Sequence, residues 1–333
     1  MADVCFKDLA AKANIYEQTK LIPVMESSSC VIKSDTILTN ELMQRLRVAA
    51  ALLEDSPASQ QDWHPGSDDK VLGLVHPSLW PLVFSRSRII SDKYVSLDKC
   101  LDQCSSGKVI PEPKRPHLRM PDGFQSSTGD DDKRALSLRY QWLPSDVDLT
   151  AGRPRIKSYI NNLHPVRYKT VHSLIKELIA KSLPAWDIIC RSARKEFKFK
   201  RFGTVHEVKW TCQVPEICAK MRCCYPSSRS FAQGSDYDSG SETSSVFEED
   251  ERLNREWWSE THKINCPEPL EDATCPLDAS HFKSEGFLNK ATQIQVIVKM
   301  ANIHLTPEKS TYDGGSWHVE GQLNEHICAT ALF

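Results

Sequence analysis

The chain has 333 residues, with 42 Lys and Arg against 44 Asp and Glu and a net charge of −2 at pH 7. That length allows one large domain or two modest ones, since domains run about 100–200 residues. The near-neutral balance supplies no global field toward nucleic acid or anionic lipid, and no apolar run approaches the roughly 18–20 residues of a spanning helix, so no membrane span is expected.

Met1 to Lys20 carries Asp3, Lys7, Asp8, Lys12 and Glu17 without an apolar segment, so it does not read as a secretory signal. Twelve cysteines in such a chain point to thiols in a reducing compartment, the cytosol or nucleus. No repeat at a solenoid period is present.

In chain order, Val4 to Thr19 has helical spacing through Cys5, Leu9, Ala13 and Tyr16, and Ile22–Met25 and Cys30–Ile32 read as short strands around a serine cluster. Asn40 is placed to cap a helix over Glu41–Glu54, with Leu42, Leu46, Ala49 and Leu53 on one face and Pro57 as its stop. The run from Asp62 to Ile90 is rich in Trp, His, Pro and Gly; Trp63, Trp80 and Phe84 call for burial, so a packed irregular segment is expected. Cys104 to Asp132 reads as an exposed loop. Strand-like pieces at Tyr140–Leu143 and Ile156–Ile160 precede a helix from about Thr170 to Lys181, striped by Val171, Leu174, Ile175, Leu178 and Ile179, which Pro184 should interrupt or kink.

Gln233 to Glu251 holds seven acidic residues among Ser and Gly, too little apolar surface to offset the entropy of ordering. It divides the chain into an α/β part (1–232), a disordered acidic Ser-rich insert (233–252) and a C-terminal region (253–333). Its serines lie beside acidic residues, a setting for phosphorylation or for an inert insert. In the last region Ile294, Val296, Val298 and Met300 alternate with Gln293, Gln295, Ile297 and Lys299, a period-2 strand. Strand-like runs follow at Ser316–Glu320 and Ile327–Phe333.

The most specific constellation is Gly314-Gly315-Ser316-Trp317-His318-Val319-Glu320. Residues i and i+2 of a strand share one face about 6–7 Å apart. His318 and Glu320 can thus aim an imidazole and a carboxylate at one point, two-thirds of the two-histidine, one-carboxylate triad that suits non-haem Fe(II). The same triplet also fits a structural His/Glu pair. His304, in register with Met300 and Asn302, reads as a satisfied core histidine, and His326 as a bystander. Cys212, Cys218, Cys223 and Cys224, with His206 upstream, lack the paired knuckles of a zinc site, as do Cys100 and Cys104. Arg191 to Phe202 interleaves basic and aromatic residues, a nucleic-acid stripe in miniature or a solvated basic face.

The runs DWHPGSDDKVLGLVHPSLWPLVFSRSR, YQWLPSDVDL, SYINNLHPVRY, CPEPLEDATC and QVIVKMANIHLTPEKSTYDGGSWHVEGQLNEHICATAL resemble the large fungal family of unknown function numbered 4246, over nearly the whole chain. The resemblance implies a fungal source. The C-terminal half is in turn similar in pattern to the Fe(II)/2-oxoglutarate dioxygenases, whose order is a strand, a Tyr/Gly-rich loop, a strand bearing HxD or HxE, and a further strand. By that resemblance His318 and Glu320 are the first two iron ligands, and 2-oxoglutarate is the cosubstrate.

The expected fold is α+β: a helical and irregular N-terminal part packed on an incomplete, cupin-like double-stranded β-helix. The sequence ends thirteen residues after Glu320, before the distal His and the basic cosubstrate anchor of the pattern, and Met1 falls inside the family's usual length. A fragment, with no turnover and no bound cofactor of its own, is therefore expected. The alternative is a non-catalytic cupin-like or β-sandwich interaction module in which His318 and Glu320 are structural; a nucleic-acid partner ranks last.

Overall fold

The structure is a computed structural model that describes residues 2–25, 30–113, 136–194, 196–197, 210–216, 257, 259–264, 277–283, 288–315 and 320–333. The acidic insert, residues 233–252, lies outside them. The chain divides into two compact units, Met1–Ala10 with Phe199–Cys275, and Ala11–Lys198 with Pro276–Phe333. Helix α1 (Ala2–Thr19) carries residues of both. It ends where Lys20 takes a left-handed φ of 62° and donates its N–H to the Tyr16 carbonyl at 2.8 Å. Its buried side chain is Ile15, whereas Cys5, Leu9 and Ala13 are exposed, because this helix has too few apolar residues to form a continuous stripe.

The second unit continues with a hairpin of β1 (Ile22–Met25) and β2 (Cys30–Lys33), in the register Ile22 opposite Lys33. Helix α2 (Asn40–Glu54) follows. Its cap is Thr39, one residue before the expected Asn40: the Thr39 hydroxyl accepts the Leu42 N–H at 3.2 Å. Leu42, Ala49 and Leu53 form its buried face.

Among the described residues the following strands form small antiparallel sheets with no closed barrel. One joins β3 (Asp62–Trp63), β4 (Val71–Val75) and, from the far end of the chain, β14 (Met300–Ile303). Another joins β9 (Ser145–Asp148), β10 (Arg155–Ile156) and β13 (Gln293–Val296). Two-stranded pairs link β5 (Leu82–Val83) to β8 (Tyr140–Gln141) and β6 (Arg88–Ile89) to β7 (Lys108–Val109). The single strand expected from Gln293 onward is thus two, β13 and β14, serving different sheets, with Ile297–Lys299 as the link.

Helix α3 (Lys169–Ala193) continues through Pro184, which does not interrupt it. Proline inside a helix costs ~3 kcal/mol, and burial of Val171, Leu174, Ile175 and Ile179 before it and Ile188 after it offsets that cost. Val171, Leu174, Ile175 and Ile179 meet Leu42, Ala49 and Leu53 of α2, Leu72, Leu74 and Val75 of β4, Val147 of β9, and Ile160 and Leu163 in one core, with Ile294, Val296, Val298 and Met300 packed against it. Helix α4 (Ala279–Lys283) lies beyond α3 in sequence.

The third strand-like run, Ile327–Phe333, is irregular: a short 3-10 turn at Leu323–Glu325 ends in His326 with φ 51°, and no ladder continues from it. In the first unit, β11 (Trp210–Cys212) pairs with β12 (His262–Ile264), and the buried His262 meets Trp257 edge to face at 5.9 Å.

Leu174, 2% exposed at the centre of the core, should be a sensitive position. Leu174→Ala is expected to lower unfolding free energy by about 2–5 kcal/mol in urea titrations. Leu101→Ala, at a residue 81% exposed, should change it by less than about 0.5 kcal/mol.

Candidate functional site

The pairing of β4 with β14 sets Met300 opposite Val75, the fully buried last residue of β4. His76 and Lys299 therefore leave the sheet at the same end, close enough for the Lys299 ammonium to act on the His76 ring. Glu320 comes to the same place from the C-terminal segment: its Oε1 accepts from Lys299 Nζ at 2.7 Å, with both side chains substantially exposed. His318, with 316–319, lies outside the described residues. Of the two metal ligands expected from sequence, the structure thus places Glu320, and not on a strand but in a bend.

Gly321 makes that bend. Its φ is 81°, and a Cβ there would sit 2.6 Å from Ile327 Cδ1, so a side chain would be both strained and crowded. The segment beyond is held by side-chain bonds to the chain before β9. Buried Asn324 accepts the Ser137 N–H at 3.0 Å, and Glu325 accepts the Trp142 N–H at 3.0 and 3.2 Å. The Trp142 indole N–H reaches Ser78 Oγ at 2.9 Å, and the Ser78 N–H donates to His76 Nδ1 at 3.2 Å. Hydrogen bonds thereby run continuously from Glu325 through Trp142 and Ser78 to His76.

Because Nδ1 of His76 accepts a backbone N–H, the neutral ring carries its proton on Nε2 and offers a donor there. Burial, then the Lys299 charge, holds its pKa below the ordinary histidine value; Asp62 and Glu320 pull the other way. Burial raises the Glu325 carboxyl, opposed by the Trp142 N–H and by His326. Asp62 lies over Gly73, where an added Cβ would stand 2.7 Å from Asp62 Oδ2, so a side chain there would have to push the Asp62 carboxylate aside.

The other candidates separate. His304 is tied down: Nε2 lies 3.1 Å from Glu54 Oε1, which also accepts from Asn302, and its ring meets Trp63 edge to face at 5.5 Å. His326 is exposed at the cap of its turn. Cys100 and Cys104 are exposed in one loop, the Cys104 thiol donating to the Cys100 carbonyl. Cys212 lies in β11; His206, Cys218, Cys223 and Cys224 fall outside the described residues. Among the described residues no three His, Cys, Asp or Glu side chains gather as a metal site.

In the basic-aromatic stripe, Arg191 is neutralised by Asp187 at 3.5 Å and Glu196 at 3.0 Å and covers the buried Phe197, which meets His281. Its described part is an inward-packed knot, not a stacking platform. Residue 195 and residues 198–202 lie outside the described residues.

Sequence reasoning did not single out His76 or Lys299. The signal available for His76 was the HP pair closing an apolar strand. It also missed a cleft of about 410 Å³ between the end of α2, β4 and residues 159–168, lined by Leu53, Gly73, Tyr159, His164 and Arg167 among others. Neither His76 nor Glu320 lines that cleft.

The chain matches, over residues 1–333, the model of the family described as "Protein of unknown function (DUF4246)", and it belongs to that family. No curated protein and no solved structure matches it significantly. No helix among the described residues is long and apolar enough to cross a membrane.

A histidine whose folded pKa is lowered binds fewer protons folded than unfolded. Its contribution is full above the unfolded value and is lost as pH falls through the ordinary histidine range. His76→Gln should therefore flatten the fall in stability between neutral and mildly acidic pH, read as the difference in urea midpoints from the parent protein. An unchanged slope would mean that His76 is not held neutral by the fold.

Proposed function

We propose that this chain belongs to an oxygenase-like protein of Fe(II)/2-oxoglutarate chemistry, from a fungal family, in which His318 and Glu320 are two of the protein's metal ligands. In this proposal β13 and β14 open a cupin-like double-stranded β-helix, and the substrate class is undetermined. The observation that carries it is the setting of Glu320. The carboxylate is presented at the end of a sheet by a bend whose left-handed φ favours glycine, beside a neutral imidazole, in the chain order that the dioxygenase pattern has.

The residues present fit a divalent ion in kind. One carboxylate with one imidazole two residues earlier is a donor set for Fe(II). Glu320 pairs with the ammonium of Lys299, an exposed ion pair of the sort worth ~0–1 kcal/mol. A cation can displace it.

Bound there with 2-oxoglutarate, iron would supply oxygen activation for hydroxylating a substrate. The chain's own part is positional. Gly321 and the bonds of Asn324 and Glu325 fix the direction of Glu320. Lys299 neutralises its carboxylate when no cation does. His76, with its proton on Nε2, serves as a hydrogen-bond donor and not as a ligand.

A second reading takes support from the same ion pair. If Lys299 and Glu320 are a structural clasp, the protein is a non-catalytic interaction module of cupin-like or sandwich type.

Mn(II) relaxation in NMR separates the two. The metal reading expects broadening centred on Glu320 and Lys299, abolished by Glu320→Gln and by His318→Ala. Lys299→Ala should tighten Mn(II) binding up to about fivefold, since a unit charge near 4 Å in water is worth ~1 kcal/mol. Broadening elsewhere, or broadening indifferent to all three substitutions, would reject the metal reading in favour of the clasp.

A further inference from the structure

We propose that the cleft of about 410 Å³ between the end of α2, β4 and residues 159–168 binds a small organic anion, a carboxylate or phosphate joined to an apolar body. The inference does not rest on the metal reading. Glu320, Lys299 and His76 do not line this cleft, and every residue that does belongs to the second unit.

The charges of the lining fix the sign of the ligand. Among the described residues no Asp or Glu lines the cleft, whereas Arg167 and His164 do. No carboxylate among the described residues pairs with Arg167; its guanidinium lies over the ring of Tyr168, another lining residue, 5.3 Å from the centroid. That contact restrains the guanidinium without neutralising it. Arg45, Arg155 and Arg191 differ, since Glu177, Asp148 and Asp187 meet their charges at 2.7, 2.7 and 3.5 Å. Three carboxylates adjoin lining residues in sequence. Glu54 holds His304 and Asn302, Asp55 is exposed at the C-cap of α2, and Asp62 stands over Gly73 in its sheet. None of the three lines the cleft. An arginine without a carboxylate at a concave surface is a fork for an oxyanion.

The donors are held by the backbone. His164 Nδ1 accepts the N–H groups of Val166 at 3.3 Å and Arg167 at 3.2 Å, so the neutral ring carries its proton on Nε2 and offers a donor there. The His164 carbonyl accepts the Tyr168 N–H at 2.9 Å, closing the turn that carries His164, Arg167 and Tyr168. Just before it, Ile160–Leu163 forms a second turn, with Asn162 at φ 58°. Buried Asn161 pins that turn by donating to the Pro77 and Trp80 carbonyls at 2.8 and 3.3 Å. This wall is preorganised, so less ordering entropy opposes binding. Helix α3 starts directly after it, with no side-chain cap and no acidic residue in its first turn, and its dipole adds potential of the same sign.

Buried Leu53, Leu72 and Leu74 supply apolar lining. The volume lies in the small-molecule range of roughly 300–1,000 Å³. A guanidinium and an imidazole donor together with leucine surface select an anion that carries hydrocarbon over a bare inorganic ion.

Fluorine NMR on the full chain provides the test, with EDTA present so that no cation at Glu320 contributes and the outcome stays separate from that of the metal reading. The probes share one ring: para-fluorobenzoate, para-fluorophenyl phosphate, para-fluorobenzamide and para-fluorobenzylamine. Both anions should broaden, the tighter one identifying the head group, and the neutral amide and the cationic amine should bind at least about tenfold more weakly. Arg167→Gln, at an exposed side chain, should weaken the anions about tenfold, and Arg167→Lys should recover part of that loss. Ser56→Trp, which fills the cleft from the α2 side, should abolish broadening of both. Equal binding of all four probes, no broadening of either anion, or anion broadening unchanged in Arg167→Gln and Ser56→Trp would overturn the proposal.

Discussion

The second unit depends on one extended stretch, Gln293–Ile303, which is shared between two sheets. Its first part pairs with β9 from Gln293 opposite Asp148 to Val296 opposite Ser145, and its second part pairs with β4 from Met300 opposite Val75 to Ile303 opposite Val71. Neither β4 nor β9 has more than one neighbour from its own part of the chain. Without this strand each would keep an unpaired edge next to the core. The inward-facing side chains of the stretch, Ile294, Val296, Val298 and Met300, pack on the core that α2 and α3 share. Backbone pairing and apolar burial thus act on the same residues, and a one-residue slip would turn all four outward together.

That register also decides what gathers at the end of the sheet. With Met300 opposite Val75, the next residue outward on each strand is Lys299 or His76, a cation and an imidazole. Two positive groups side by side are disfavoured, and this is one reason the His76 ring is held neutral. The arrangement calls for an anion, and Glu320 supplies it. The carboxylate is a consequence of the same pairing that closes the core.

Much of this was legible in the sequence where the signal was local and periodic. The apolar stripe of α3, the face of α2 and the alternation through Met300 all lie where their periods place them, because each is a burial pattern that one element completes by itself. His304 was readable from register as a satisfied histidine, its ring held by Glu54, but it is partly exposed rather than in the core. The errors came where tertiary contacts override local preference. Pro184 does not end α3, since Ile188 beyond it is fully buried. Ile327–Phe333 alternates like a strand but has no ladder, because side-chain bonds from Asn324 and Glu325 hold the turn before it. His76 and Lys299 were invisible as a pair: they are more than two hundred residues apart, and only the register of β4 on β14 joins them.

The C-terminal segment links these themes. It is irregular, exposes Ile327, Leu332 and Phe333, and yet is fixed near its start by a buried asparagine, a half-buried carboxylate and a glycine in left-handed conformation. Such polar anchoring specifies direction more sharply than apolar contact does, because an unpaired buried amide or carboxylate costs about 1–3 kcal/mol. An apolar segment can slide with little loss, whereas Asn324 has to return to the Ser137 N–H. The orientation of Glu320 is therefore set by groups four and five residues after it, before the left-handed turn of His326.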